Sequence, residues 1–172
     1  MKTEKKRLLT FGLFLISTAV LVGFDQWTKA LAVEHLKGQE DIQLIPGVLS
    51  LHYLENRGAA FGIFQDRRTF LLILTMIIIL CVCYVLWKIP SDKKYNLLKL
   101  LCFMVTAGGL GNLIDRVCLN YVVDFIYFSL IDFPVFNVAD IYVTVSMFLL
   151  LILVLFYYKD EDFQFLKWKR DK

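Results

Sequence analysis

Four apolar runs, each about 20 residues long, constrain this chain more than any other feature, because at about 1.5 Å rise per residue that length spans a bilayer core. Leu8–Trp27 carries no charge except Asp25, Thr69–Trp87 carries none, Asn96–Ile114 carries only Lys99, and Val138–Tyr158 carries only Asp140. Within hydrocarbon every backbone polar group must be satisfied inside its own segment, so runs of this kind read as helices. The expected fold is an α-helical integral membrane protein, a single membrane domain over residues 1–172 with transmembrane helices over approximately 8–27, 69–88, 96–114 and 138–158. The segments 28–68 and 115–137 are then external. The basic stretch Met1–Arg7 resembles the start of a secretory signal. The apolar run after it is longer than a usual signal core, and no small-x-small cleavage site precedes Asp25, so the first helix reads as uncleaved.

Orientation follows from Lys and Arg. Of the 19 such residues, 13 fall on one side: Lys2, Lys5, Lys6, Arg7, Lys88, Lys93, Lys94, Lys99, Lys159, Lys167, Lys169, Arg170 and Lys172. The other 6 are Lys29, Lys37, Arg57, Arg67, Arg68 and Arg116. The richer side is the cytoplasm by the positive-inside rule, which puts both termini there. Trp27 and Trp87 stand where interfacial Trp is expected. A net charge of +3 with no basic stripe argues against nucleic acid. Cys81, Cys83, Cys102 and Cys118 have neither metal-ligand spacing nor an obvious pairing and read as small apolar filler, and no metal or cofactor is expected. His35 and His52 are isolated and carry no assigned role.

The external segments have strand character. Ile42–Ile45 and Val48–Glu55 read as a hairpin around Pro46-Gly47, and Val122–Phe128 has the composition of a strand that extends it. The polar residues set within apolar sequence gather at the same side. Asp25 ends the first helix, Asn112, Asp115 and Arg116 end the third, and Asn137 and Asp140 begin the fourth. Intramembrane ionisable groups are costly, so their concentration at one face is the main sign of a site.

Each motif also has an ordinary structural explanation. Asn137 before an apolar helix is a good N-cap, and Asp140 at the third helical position completes a capping box. Gly108 and Gly111 suit close packing of helices in a membrane. Asp25 and Lys29, four apart, suit a helix-end pair, and Asp115 suits a structural role, with Arg116 one possible partner. Asp124 fits neither a cap nor a turn, because apolar residues flank it inside a strand. Burial there should raise its pKa. Two carboxyls meeting at a membrane face suggest aspartic-protease chemistry, in which they share one proton. Spacing alone leaves the pair open among Asp115, Asp124, Asp132 and Asp140. A proton pathway is disfavoured because the acids lie at one face only, and a non-enzymatic docking adaptor is the other competing reading.

Taken in order, five blocks make the chain resemble the lipoprotein signal peptidases, the type II signal peptidases of bacteria. They are D-Q-x-x-K at Asp25–Lys29, N-x-G-x-A-F-G at Asn56–Gly62, G-G-x-G-N-x-x-D-R from Gly108 to Arg116, V-V-D-F at Val122–Phe125 and F-N-x-A-D at Phe136–Asp140. The resemblance covers nearly the whole chain. It implies an aspartic endopeptidase of the bacterial inner (cytoplasmic) membrane, with its active site near the external (periplasmic) face. The implied substrate is a diacylglyceryl-modified prolipoprotein, cut just before the lipidated lipobox cysteine. By motif position the catalytic pair falls on Asp124 and Asp140, and Asp25, Lys29, Asn56, Gly58, Gly108, Asn112, Arg116 and Asn137 match substrate-binding or dyad-supporting positions. Asp132 has no counterpart and reads as an exposed loop acid. The resemblance also implies contact with membrane lipid, inhibition by the cyclic peptide globomycin and function as a monomer. From the residues themselves, Asp140 at a helix N-terminus reads as the base and Asp124 in an apolar strand as the acid. The small sheet and Asn56–Gly62 read as a cradle over the pair, with Arg116 near a substrate carbonyl.

Overall fold

The computed structural model describes residues 2–58, 64 and 67–166, which form a bundle of four helices with a three-stranded sheet at one end. The helices are α1 (Lys2–Leu36), α2 (Arg68–Lys88), α3 (Asn96–Cys118) and α4 (Val138–Ile152), and α4 continues as a π-helical turn over Leu153–Tyr157. All four are long and apolar enough to cross a membrane, and the chain is a multi-pass membrane protein. Leu8, Ile16, Leu80 and Phe156 are largely exposed on the bundle's outer surface. In water such a surface would be an aggregation liability, whereas in a bilayer it meets acyl chains.

Two helices run past their expected ends, for tertiary reasons. α1 does not stop near Trp27 but continues to Leu36. Ala32 and Leu36, four apart on one helix face, are buried against Val123 and Phe125, so the added turns cover the sheet. α3 continues past Ile114 to Cys118 because Asp115 is buried on its inner face and finds partners there.

α3 is the central helix and touches the other three. Its Ala107 is fully buried, and Gly108 and Gly111 lie where a side chain has no room. A Cβ on Gly108 would stand 2.5 Å from the Ala139 carbonyl oxygen, and one on Gly111 would stand 2.5 Å from Asp25 Oδ2. The two glycines therefore allow α4 and the Asp25 side chain to approach α3 closely.

The sheet is antiparallel in the order β1 (Ile42–Ile45), β2 (Leu49–Asn56), β3 (Val122–Tyr127). Gly47 takes φ 72° in the tight turn between β1 and β2, a conformation glycine adopts without steric cost. The register between β2 and β3 shifts once. Leu51 faces Ile126, but Leu54 faces Asp124 and Asn56 faces Val122. This irregularity adds one residue to β2. Without it Asn56 would stand opposite Tyr121 and point to the other face of the sheet; with it, Asn56 shares a face with Val122 and Asp124. At the far end of the bundle the 3-10 helix Asp160–Leu166 folds back, and Tyr95 stacks on Tyr158 at 5.7 Å and meets Phe165 edge-on.

Candidate active site

Asn137 is the N-cap of α4 and forms the expected capping box with Asp140. Its Oδ1 accepts from the Asp140 N–H at 3.0 Å, and its own N–H donates to Asp140 Oδ2 at 3.1 Å. The cap uses one Asp140 oxygen and leaves the other to accept from Asn112 Nδ2 at 2.8 Å. It also leaves the Asn137 amide nitrogen free to donate to Asp124 Oδ1 at 2.6 Å and to Asn112 Oδ1 at 3.1 Å. Asn137 thus bonds to both aspartates, and capping and site assembly are the same set of contacts.

Asp124 is brought to this point by β3 and is 1% exposed. Its second oxygen accepts from Asn56 Nδ2 at 2.8 Å, across the diagonal that the shifted register creates. Burial, and after it the neighbouring Asp140 charge, push the Asp124 carboxyl up to about 7, against the amide donors Asn56 and Asn137. A carboxyl of this kind holds its proton well above the ordinary aspartate range.

Behind the pair lies a second buried layer. The Lys29 ammonium touches Asp25 Oδ2, Asp115 Oδ2 and Asn112 Oδ1, each at 2.9 Å, which uses its three donors. Asp25 Oδ1 accepts the Ala139 N–H at 2.8 Å, so α1 supplies a further cap to α4. Asp115 Oδ2 accepts the Val123 N–H at 3.1 Å and fixes β3 next to Asp124. One buried network therefore ties α1, α3, α4 and β3 together.

Arg116 does not pair with its neighbour Asp115. Consecutive helical residues point in different directions. The guanidinium donates instead to the Gly58 carbonyl at 3.0 Å and the Asn112 carbonyl at 3.4 Å, and Gly58 N–H donates to Asn56 Oδ1 at 2.9 Å. Arg116 thereby anchors the chain that leaves β2 to α3. Residues 59–62 of the expected cradle lie outside the described residues, so its described part ends at Gly58. Asp132 is exposed, stands in the left-handed region at φ 48° and accepts from Tyr127 Oη at 2.6 Å, apart from the network.

Sequence reasoning assigned no role to two residues that belong here. Gln26 Nε2 donates to Asp115 Oδ1 at 2.8 Å, to the Gly111 carbonyl at 3.2 Å and to Asp25 Oδ2 at 3.3 Å. Its signal was an amide beside Asp25 at the end of an apolar run. Arg68 Nε donates to the Arg116 carbonyl at 2.7 Å and Nη2 to the Val117 carbonyl at 3.1 Å, which caps the end of α3 from α2. No sequence pattern marks that contact.

Asp25, Asp115, Asp124 and Asp140 thus share the site with two cations, Lys29 and Arg116. In a low-dielectric setting, a proton kept on Asp124 relieves the excess negative charge. Two carboxyls tied through one asparagine, one of them protonated near neutral pH, form a pair able to give and take protons.

The profile of the family described as signal peptidase (SPase) II matches residues 17–156. A lipoprotein signal peptidase of Streptococcus thermophilus (strain CNRZ 1066) is 44% identical over 147 residues, which are 86% of this chain and 93% of that protein. One of Streptococcus pyogenes serotype M1 is 42% identical over 152 residues, 88% and 96% of the two chains. A solved bacterial membrane enzyme at 2.3 Å resolution superposes with TM-score 0.77 at 33% identity, over 94% of this chain and 95% of its own. Another, at 1.9 Å, gives TM-score 0.72 at 34% identity over 86% and 95%.

Proposed function

The chain belongs to the signal peptidase II family, and from that premise we propose that Asp124 and Asp140 are the catalytic pair with which it cuts its substrate. It is a membrane protease that removes signal peptides from prolipoproteins. The finer reading is an aspartic endopeptidase acting on diacylglyceryl-modified prolipoproteins just before the lipidated lipobox cysteine. The observation that carries it is the bridge of Asn137 to both aspartates, together with the protonated character of Asp124.

In the proposed cycle, the Asp140 carboxylate takes a proton from water as that water attacks the scissile carbonyl, and Asp124 gives its proton to the carbonyl oxygen. The resulting gem-diol collapses as Asp140 returns its proton to the leaving amine and Asp124 regains one from the diol. The nucleophile is the water itself, and no acyl-enzyme forms. Asn56, Asn112 and Asn137 hold the two carboxyls in place throughout, so little reorganisation is needed at the moment of reaction. Asp25, Lys29 and Asp115 fix the ends of the elements that carry the pair. Gly108 lets α4 reach α3, and Arg116 holds Gly58 beside the site, within reach of a substrate backbone.

The site lies at the sheet end of the bundle. The distribution of Lys and Arg supports placing that end at the external face of a bacterial inner membrane, with both termini cytoplasmic. The exposed β1 residues Ile42, Leu44 and Ile45 are suited to contact with membrane lipid at that level. Among the described residues, both carboxyls and the side chains that hold them come from one chain, which supports a monomeric enzyme, and inhibition by globomycin is expected. The test is cleavage of a diacylated lipobox peptide by protein purified in detergent. Wild type should cut it, and Asp124→Asn and Asp140→Asn should not. Cleavage by either variant at the wild-type rate would rule out the assigned pair, and a wild type that leaves the lipidated peptide intact while cutting its unlipidated form would rule out the substrate class.

A further inference from the structure

Arg68 is the first residue of α2, where a cation opposes the dipole of its own helix, and no acidic residue stands in that first turn to balance it. Its guanidinium turns instead to the end of α3. The two helices run antiparallel, with Gly109 of α3 against Thr75 and Ile79 further along α2, so the start of α2 lies beside the end of α3. There the cation meets the negative end of the neighbouring dipole.

The last four carbonyls of a helix have no partner within it. In α3 they belong to Asp115, Arg116, Val117 and Cys118. The Asp115 carbonyl accepts the Leu119 N–H at 2.7 Å. Those of Arg116 and Val117 accept from Arg68, at 2.7 Å from Nε and 3.1 Å from Nη2. Arg68 therefore supplies two of the partners that the last turn of α3 lacks, and two residues of the site stand in that turn. Asp115 is held from the far side as well, by Lys29, Gln26 and the Val123 N–H. The Arg116 guanidinium, in contrast, bonds one turn back to the Asn112 carbonyl and outward to Gly58, so its aim depends on how its own turn is held. Arg116 thus meets both ends of the connection from β2 to α2, Gly58 through its side chain and Arg68 through its main chain. From Gly58 the contacts continue inward: its N–H donates to Asn56 Oδ1, and Asn56 Nδ2 donates to Asp124 Oδ2.

We propose that Arg68 is a positioning residue for cleavage, which fixes the last turn of α3 and through it the hold of Arg116 on Gly58. It touches neither carboxyl. Its effect reaches the site through Arg116, Gly58 and Asn56, and so rests on the assignment of Asp124 and Asp140 as the catalytic pair.

The test uses the full chain in detergent and a diacylated lipobox peptide, with Arg68→Met, Arg68→Lys, Arg116→Ala and the double variant Arg68→Met/Arg116→Ala, and with Asp124→Asn as control. Arg68→Met should lower kcat on the order of 10-fold in a protein that still melts cooperatively. It should also move the basic limb of kcat/KM to higher pH, the direction expected when Asn56 donates less well to ionised Asp124. Arg68→Lys should recover part of the rate, because an ammonium cannot reproduce the two-pronged contact but can serve one carbonyl. Adding Arg68→Met to Arg116→Ala should cost less than about twofold more, since the contact that Arg68 serves is already gone. If Arg68→Met melts too low to assay, the same cycle run with Arg68→Lys decides. Arg68 variants with wild-type kcat and an unmoved limb, beside an inactive Asp124→Asn, would overturn this inference and leave the catalytic pair standing. Losses that multiply in the double variant would overturn the route through Arg116. An Asp124→Asn that cuts at the wild-type rate would instead overturn the pair itself.

Discussion

Gly108→Ala adds a single methyl group and should nearly abolish cleavage. The added Cβ would stand 2.5 Å from the Ala139 carbonyl oxygen and 2.7 Å from Val143 Cγ2. The carbonyl is backbone at the start of α4 and cannot rotate aside as a side chain would. Relief requires α4 to move away from α3 by about 0.7–1 Å, the gap between 2.5 Å and an ordinary carbon–oxygen contact. Such a shift stretches the Asn112–Asp140 bond from 2.8 Å to about 3.5 Å, beyond useful hydrogen-bond length. The Asp25 bond to Ala139 N–H is strained with it. Overpacking of this size costs about 1–3 kcal/mol, which leaves a folded protein, whereas a misplacement of about 1 Å at the reacting groups costs on the order of 100-fold in rate. The assay is steady-state cleavage of a diacylated lipobox peptide, with apparent melting temperature measured on the same preparation. A loss in kcat on that order in a protein that still melts cooperatively is expected. A variant that folds and cuts at close to the wild-type rate would refute the argument that helix spacing at Gly108 sets the geometry of Asp140.

Further substitutions probe the other contacts. Asn56 donates to the ionised form of Asp124, so Asn56→Leu should raise the Asp124 pKa further, move the basic limb of kcat/KM up by about one pH unit and lower the maximum rate; an unmoved limb would contradict the assignment. Lys29→Met leaves Asp25 and Asp115 buried without their ammonium, a change that costs about 3–5 kcal/mol and should lower the apparent melting temperature by roughly 10 °C. An unchanged melting temperature would mean that the ammonium is not buried between them. Arg116→Ala should cut cleavage while leaving expression intact, and full activity would remove its role in holding Gly58.

The membrane class and the sheet were open to reading because each rests on a local signal: apolar runs of bilayer length, and strand composition on both sides of Pro46-Gly47. The capping box at Asn137 was legible for the same reason. What the sequence hid is tertiary. The continuation of α1 to Leu36 depends on Val123 and Phe125, residues far along the chain. The partner of Asp115 depends on which helices pack together, so a neighbouring Arg116 was a plausible candidate and a distant Lys29 is the one observed. The shifted register that turns Asn56 toward Asp124 has no marker in β2, since a one-residue slip leaves composition unchanged. Gln26 and Arg68 were missed because each is defined by carbonyls or carboxylates on another helix.

The pH dependence of kcat/KM for the wild-type protein on a diacylated lipobox peptide tests most directly whether two carboxyls share one proton. The expected profile has two limbs: activity is lost on the acid side when both groups are protonated, and on the basic side with a midpoint at about 7, where Asp124 gives up its proton. A rate that stays level as pH rises well past that midpoint, or a profile with a single limb, would contradict the shared proton.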